Sequence, residues 1–298
     1  MTEAGGFEVI AREIAAQAGG DCAPEPEAAV AGGSIHRCYR WLCGGAPIFV
    51  KVADRSGGAG LEAEAAGLAA LAEAQAVRVP RVVARGTAGR SAFLALEWIE
   101  SRPAGRVAER RLGERLAAQH RVTAAQFGFA TDNFIGRTPQ PNGSLADWAT
   151  FFRERRLRHQ LTLAAQNGFA ELLERPGARL LESVDALLAG HRPAASLLHG
   201  DLWAGNWLAD SHEEPVVFDP AVYYGDREAD IAMTRLFGGF GRAFYDAYHA
   251  AAPLAAGHAV RAELYNLYHV LNHANLFGAG YARQARASME RLLAEVRG

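Results

Sequence analysis

Short β-type runs separated by glycine turns fill residues 28–98, with one helical run among them, and this pattern most restricts how the chain can fold. Runs at 28–30, 35–42 and 47–53 are joined through Gly32-Gly33 and Gly44-Gly45. Such short connections suit antiparallel neighbours, because a parallel crossover needs a dozen or more residues. Residues 61–74 then show helical spacing, and two further runs follow at 81–86 and 92–98. The reading is a five-stranded antiparallel sheet with one inserted helix, preceded by a helix over 7–18.

Beyond Arg102-Pro103 the pattern is helical, over 107–124, 145–168, 170–189, 229–254 and from 258 onward. Short apolar runs at 207–208 and 216–218 read as a hairpin across 210–214. The fold class predicted is α+β in two lobes, 1–102 and 103–298, with a hinge near 98–104. With 298 residues, half of them hydrophobic, the chain can bury a large core in each lobe.

The net charge of −2 and the lack of a long basic run argue against a nucleic-acid footprint. No apolar window is long enough to span a bilayer, and residues 1–10 lack the pattern of a signal peptide, so a cytoplasmic location is expected. Cys22, Cys38 and Cys43 give an odd count without zinc-type spacing and are read as reduced thiols.

Chemistry concentrates in Leu197-Leu-His-Gly-Asp-Leu-Trp-Ala-Gly-Asn-Trp207, followed by Val217-Phe-Asp-Pro-Ala221. The order His-x-Asp-x-x-x-x-Asn, then a second aspartate, is that of a phosphoryl-transfer loop. There one carboxylate accepts the proton of the attacking hydroxyl, while a carboxamide and another carboxylate hold metal ions. Asp201 is the candidate base, and Asn206 and Asp219 are the candidate ligands of Mg2+, as hard oxygen donors suit that ion. His199 reads as a scaffold.

Upstream, Lys51 lies in an apolar strand and Glu64 on the helix after it, a pairing that would hold the lysine against nucleotide phosphates. Glu62 competes, but Leu61, Ala65 and Leu68 define an inward stripe with Glu64 beside it. The turn at Gly32, Gly33 and Ser34 offers backbone amides to phosphates. The backbone of Glu97 and Ile99 at the hinge could meet an adenine edge. A P-loop is disfavoured, since no G-x-x-x-x-G-K-[ST] occurs.

Taken together, these residues resemble the aminoglycoside phosphotransferase and choline kinase superfamily, with its protein-kinase-like fold, and more closely the fructosamine kinase (ketosamine-3-kinase) family. The closer resemblance rests on Leu198-His-Gly-Asp-Leu-Trp-Ala-Gly-Asn206, Phe218-Asp-Pro-Ala-Val-Tyr-Tyr-Gly-Asp-Arg-Glu-Ala-Asp230, Leu236-Phe-Gly-Gly-Phe240 and Tyr268-His-Val-Leu-Asn-His-Ala-Asn-Leu-Phe-Gly278. Asn133, Gly136 and Asp147-Trp148 add to it. It implies ATP-dependent phosphorylation of the 3-hydroxyl of a ketosamine, free or protein-bound, whose labile product releases the amine and so deglycates it. Trp203, Tyr223, Tyr224, Asp226 and His273 are the expected acceptor-side residues, and Asp230 is expected to bond the loop backbone. An aminoglycoside or choline-type kinase of the same fold, or a pseudokinase, are the competing readings.

Overall fold

The structure, a computed structural model, describes residues 3–30 and 36–296. Its first lobe carries α1 (Glu3–Ala18), β1 (Ala28–Val30), β2 (Arg37–Cys43), β3 (Ala46–Asp54), α2 (Gly58–Glu73), β4 (Val82–Ala88) and β5 (Ser91–Glu97). The strands form one antiparallel sheet in the order β1-β2-β3-β5-β4. A helix covers each face, and the two-residue period sorts the strand side chains between them. Trp41, Val50, Val52, Phe93 and Ala95 pack with Ile10 and Ile14 of α1. Ala92, Leu94 and Leu96 pack with Leu61, Ala65 and Leu68 of α2. Lys51, between Val50 and Val52, therefore points to the α2 side.

Here one expectation fails. Cys22 and Cys43 form a disulfide, and only Cys38 is a free thiol, buried in β2. The segment after α1 runs beside the end of β2, with Ala23 N–H donating to the Leu42 carbonyl at 2.9 Å and Gly44 N–H to that of Asp21 at 2.8 Å. That pairing sets the two cysteines face to face. An odd count excludes nothing when one member of the set is a core residue.

The second lobe opens with β6 (Ser101–Arg102) and α3 (Arg106–Gln119). It continues through β7 (Thr123–Ala124), the hairpin β8 (Asn133–Ile135) and β9 (Thr138–Gln140), α4 (Trp148–Phe151), α5 (His159–Ala164) and α6 (Ala170–Leu187). Then come β10 (Ala195–Leu198), β11 (Trp207–Asp210), β12 (Pro215–Val217), β13 (Tyr223–Gly225), α7 (Glu228–Leu236), α8 (Arg242–Ala251), α9 (His258–Phe277) and α10 (Ala279–Glu295). The 207–218 hairpin forms as read, and β6 joins its edge. β10 lies between β13 and β7. The architecture is the two-lobed, protein-kinase-like α+β fold, and α9 is the spine of the larger core. Among the described residues no helix is long and apolar enough to cross a membrane.

Several long helical runs are divided. The run at 107–124 stops at Gln119, and residues 123–124 become β7. The run at 145–168 starts at Trp148, capped by Asp147, whose carboxylate accepts from Thr150 N–H at 2.8 Å. It continues through wide turns at Phe152–Arg158 and Ala165–Phe169. The run at 229–254 splits at 237–241, where Gly238 and Gly239 take φ of 71° and 91°. The last run splits at Gly278, with φ 98°. Glycine at positive φ ends a helix without the steric cost other residues would meet.

Candidate active site

The catalytic-loop candidate leaves β10 at Leu198 and is held from behind by one buried carboxylate. Asp230, at the start of α7, accepts the amides of His199 at 2.8 Å and Gly200 at 2.9 Å, and its Oδ2 is bonded to His120 Nε2 at 3.1 Å. Burial opposes its ionisation, but the hydrogen bond from His120 and the Gly200 amide outweigh it, and its pKa is held below the ordinary value. Gly200 has φ 82°, and a Cβ there would lie 2.0 Å from the Ala221 carbonyl oxygen. The loop therefore crosses the 219–222 segment at a point only glycine can occupy.

His199 is fully buried and completes the brace. Its Nδ1 accepts from Asp201 N–H at 3.3 Å, so the proton sits on Nε2, which donates to the Phe218 carbonyl at 3.0 Å. Burial lowers its pKa, which agrees with a neutral imidazole acting as a clamp between the two chemical segments. The segment after Asp219 is braced from its other side by the β8–β9 hairpin. Asn133 Nδ2 donates to the Val222 carbonyl at 2.7 Å and Gln140 Nε2 to that of Ala221 at 3.1 Å.

Chemical groups converge in front of these braces. Asn206 Nδ2 donates to the Asp201 carbonyl at 2.9 Å and to its carboxylate at 3.2 Å. Lys51 Nζ bonds both Glu64 oxygens, at 2.8 and 2.9 Å, and reaches the Asp219 carboxylate in the other lobe. Glu62 instead faces Arg85 at 3.4 Å. Burial pulls the Lys51 ammonium down, yet the two carboxylates beside it overcome that and raise its pKa. Asp219 sits at φ 56°, a conformation Asp tolerates better than most residues. Burial, then repulsion from Asp219, push Asp201 up to about 7 despite the Asn206 hydrogen bond.

The other candidates divide. Gly32, Gly33 and Ser34 lie outside the described residues. The Glu97 carboxylate bonds Arg78 at 2.7 Å and the Arg81 amide at 3.2 Å, while Ile99 is partly buried just past β5. Arg78 also bonds Asp210 of the second lobe, and its carbonyl accepts from Val217 N–H, a strut for which no sequence signal stood out.

Trp203 is 39% exposed beside Asp201, and its ring meets Phe237 edge-on. Tyr223, placed at the acceptor pocket by the sequence, is instead a core residue, with its ring against Phe151 and under the Arg156 guanidinium. As a member of β13 it pairs with Leu198, and its side of that strand faces inward. Asp226 departs likewise. It is 1% exposed and bonded to Tyr265, His191 and the Glu228 amide, so it anchors the entry to α7. Tyr224 is partly buried, its backbone paired with Gly128. His273 is partly buried and stands among the rings of Phe237, Phe277 and Tyr281, whereas its neighbours Asn272 and Asn275 tie α9 to Gln160. Phe237, which meets Trp203 beside the loop, was not among the site candidates, although the Leu-Phe-Gly-Gly-Phe run signals a broken helix there.

Comparison with known proteins identifies the family. Residues 7–295 match the family model described as fructosamine kinase. A probable ketoamine kinase from Synechocystis sp. is 43% identical over 96% of this chain and 97% of its own. A chloroplastic protein-ribulosamine 3-kinase from Arabidopsis thaliana is 39% identical over 88% of this chain and 80% of its own. The crystal structure of a candidate fructosamine-3-kinase from Haemophilus somnus superposes with a TM-score of 0.89 at 28% identity, over 97% of this chain and 98% of that one. The chain thus belongs to the fructosamine kinase family and is a kinase.

Proposed function

We propose that this chain transfers the γ-phosphoryl group of ATP to the 3-hydroxyl of a ketosamine, a sugar joined to an amine through an Amadori linkage. The observation that carries this reading is the convergence of Asp201, Asn206, Asp219 and the Lys51–Glu64 pair from both lobes onto one place. Asp201 takes the proton of the sugar hydroxyl as its oxygen forms a bond to the γ-phosphorus and the bond to the ADP oxygen breaks. Lys51, positioned by Glu64, holds the nucleotide phosphates. The phosphorylated adduct then releases its amine, so the outcome is deglycation.

The donor set suits a divalent cation. Asn206 spends its amide hydrogens on Asp201 and keeps its carbonyl oxygen as a donor to metal, and the Asp219 side chain is 42% exposed. Lys51 already faces the Glu64 and Asp219 carboxylates, and a cation here would favour the ionised form of Asp201, which burial and then Asp219 push up to about 7. Magnesium held by Asn206 and Asp219 would neutralise nucleotide phosphate oxygens. His199, neutral and engaged at both nitrogens, keeps the Asp201 and Asp219 segments in register.

The test presents ATP, magnesium and a panel of ketosamines, aminoglycosides and choline, with Asp201→Asn as control. Phosphorylation of ketosamines, lost in the variant, is expected. Turnover of choline or an aminoglycoside with none of any ketosamine would overturn the substrate assignment.

A further inference from the structure

Three large apolar side chains stand together in the open beside the candidate base. Trp203, Phe237 and Phe277 are 39%, 43% and 59% exposed. Their rings are linked: Trp203 to Phe237 at 6.4 Å, Phe237 to His273 at 5.0 Å, and His273 to Phe277 at 5.4 Å and Tyr281 at 5.1 Å. The result is a continuous ladder of five rings that starts two residues from Asp201. Two separate helix breaks build it. The 237–241 break seats Gly239 against Ala204 of the catalytic loop, where a Cβ would come within 2.5 Å of the Ala204 side chain, and so delivers Phe237 to Trp203. The break at Gly278 turns the chain so that Tyr281 of α10 returns beside His273 of α9.

His273 gives the ladder one polar atom of defined character. Its Nδ1 donates to the His269 carbonyl at 2.8 Å, which leaves the proton off Nε2. Nε2 makes no hydrogen bond among the described residues and is an acceptor.

Beside His273 Nε2 the five rings bring only the Trp203 indole N–H and the Tyr281 hydroxyl, few polar atoms for a polyhydroxylated sugar, which needs several hydrogen bonds. The ladder matches the other half of a ketosamine. The amine nitrogen is protonated at neutral pH and carries a hydrocarbon substituent, and both parts gain from aromatic faces. An apolar patch continuous with a catalytic loop also marks a binding surface more often than scattered exposure does.

We propose that the ladder is the amine-side subsite, selecting ketosamines whose nitrogen bears an aryl or long alkyl group. The assignment rests on the ketosamine reading above. The sugar hydroxyl lies at Asp201, the ammonium meets the Trp203 ring and His273 Nε2, and the substituent runs along Phe237 and Phe277.

The test uses one sugar with four amines: methylamine, glycine, n-hexylamine and 2-phenylethylamine, with a glycated folded protein alongside. For the full-length enzyme, kcat/KM for the phenylethyl adduct is expected to exceed that for the methyl adduct by about tenfold or more, the scale set by burying one ring. That ratio falls towards one in Phe237→Ala and Phe277→Ala, and Phe277→Leu retains part of it. Thermal midpoints of these surface variants verify that the fold is intact. Equal kcat/KM across the four adducts, or a ratio unchanged in the variants, would overturn the subsite while leaving the kinase reading in place. So would a preference confined to the glycated protein, which would make the ladder a docking face for folded partners. A wild-type enzyme that phosphorylates no ketosamine would overturn both readings together.

Discussion

Two groups of aromatic side chains flank the catalytic loop, and they serve opposite ends. On the inner side Trp148, Phe151, Phe152, Tyr223 and Tyr265 are all buried, and the Arg156 guanidinium lies 4.1 Å from the Tyr223 ring centre and 4.7 Å from that of Phe151. Its terminal nitrogens donate to the Pro141 carbonyl at 2.6 Å and to Asn142 at 2.8 Å, while its buried Nε has no partner among the described residues. On the outer side Trp203, Phe237, His273 and Phe277 touch one another and open water. Both groups carry residues from the segments that bear the family resemblance, Trp148 and Tyr223 inside and Trp203, Phe237, His273 and Phe277 outside. Residue type does not separate them, and Tyr265, His273 and Phe277 even share α9; what separates them is the face of its element that each ring occupies, as Tyr223 and Trp203 show. A ring on a paired strand such as β13 is committed to one face of its sheet, whereas a ring on a loop at a helix break is free to face a ligand.

If the division holds, substitutions in front of the loop remove activity and those behind it remove stability. The largest effect belongs to Asp201→Asn. We expect kcat to fall by roughly 10²- to 10⁴-fold, the range for a lost general base, with the thermal midpoint nearly unchanged because the amide retains the shape of the carboxyl. A variant with full turnover would remove Asp201 from the chemistry.

Behind the loop, Tyr223→Ala is expected to cost about 3–5 kcal/mol in urea unfolding, as for other fully buried aromatic rings. It sharpens the contrast because the sequence placed Tyr223 on the acceptor side. A variant of normal stability but raised KM would return Tyr223 to the substrate pocket and break the comparison.

What could be read in advance follows the range of the forces involved. The five strands and α2 were legible because period-two patterning and glycine turns are local signals. The Lys51–Glu64 pairing was legible too, since Leu61, Ala65 and Leu68 fix which way α2 faces. The breaks at 237–241 and 278 had local glycine signals that the surrounding helical spacing masked. The helix end at Gln119 was harder, because the residues around it keep helical spacing and the break is set by tertiary contacts. His120 shows this, since it leaves the helix to bond Tyr248 and Asp230, which lie more than a hundred residues away. The Cys22–Cys43 disulfide depends on a strand pairing that spacing alone does not reveal. Asp226 and Tyr223 misled because a motif reports that a residue is near the site without reporting which side of the backbone it occupies.

Asp230→Asn should show a smaller loss than Tyr223→Ala, about 1–3 kcal/mol at neutral pH, because the amide can still accept one of the two loop amides. The depressed pKa of Asp230 adds a signature. Its ionised form is stabilised by folding, so its contribution is complete above the unfolded value near 4 and fades as pH falls through the folded value. The stability gap between wild type and variant should therefore narrow in acid below about pH 4. A gap independent of pH would show that the carboxylate charge does not hold the loop.

Trp203→Ala is expected to have the least effect on stability, within about 0.5–1 kcal/mol, since substitutions at exposed positions seldom cost more. The ring is 39% exposed, meets Phe237 edge-on and lies against Gly205, and it belongs to no buried cluster among the described residues. Removing it should nevertheless raise KM for a ketosamine several-fold, because the ring supplies an exposed aromatic face two residues from Asp201. Urea midpoints and KM measured on the same preparation give both numbers. A stability loss approaching that of Tyr223→Ala would mean that Trp203 anchors the catalytic loop itself, and the outer aromatic group would then belong to the fold as much as the inner one does.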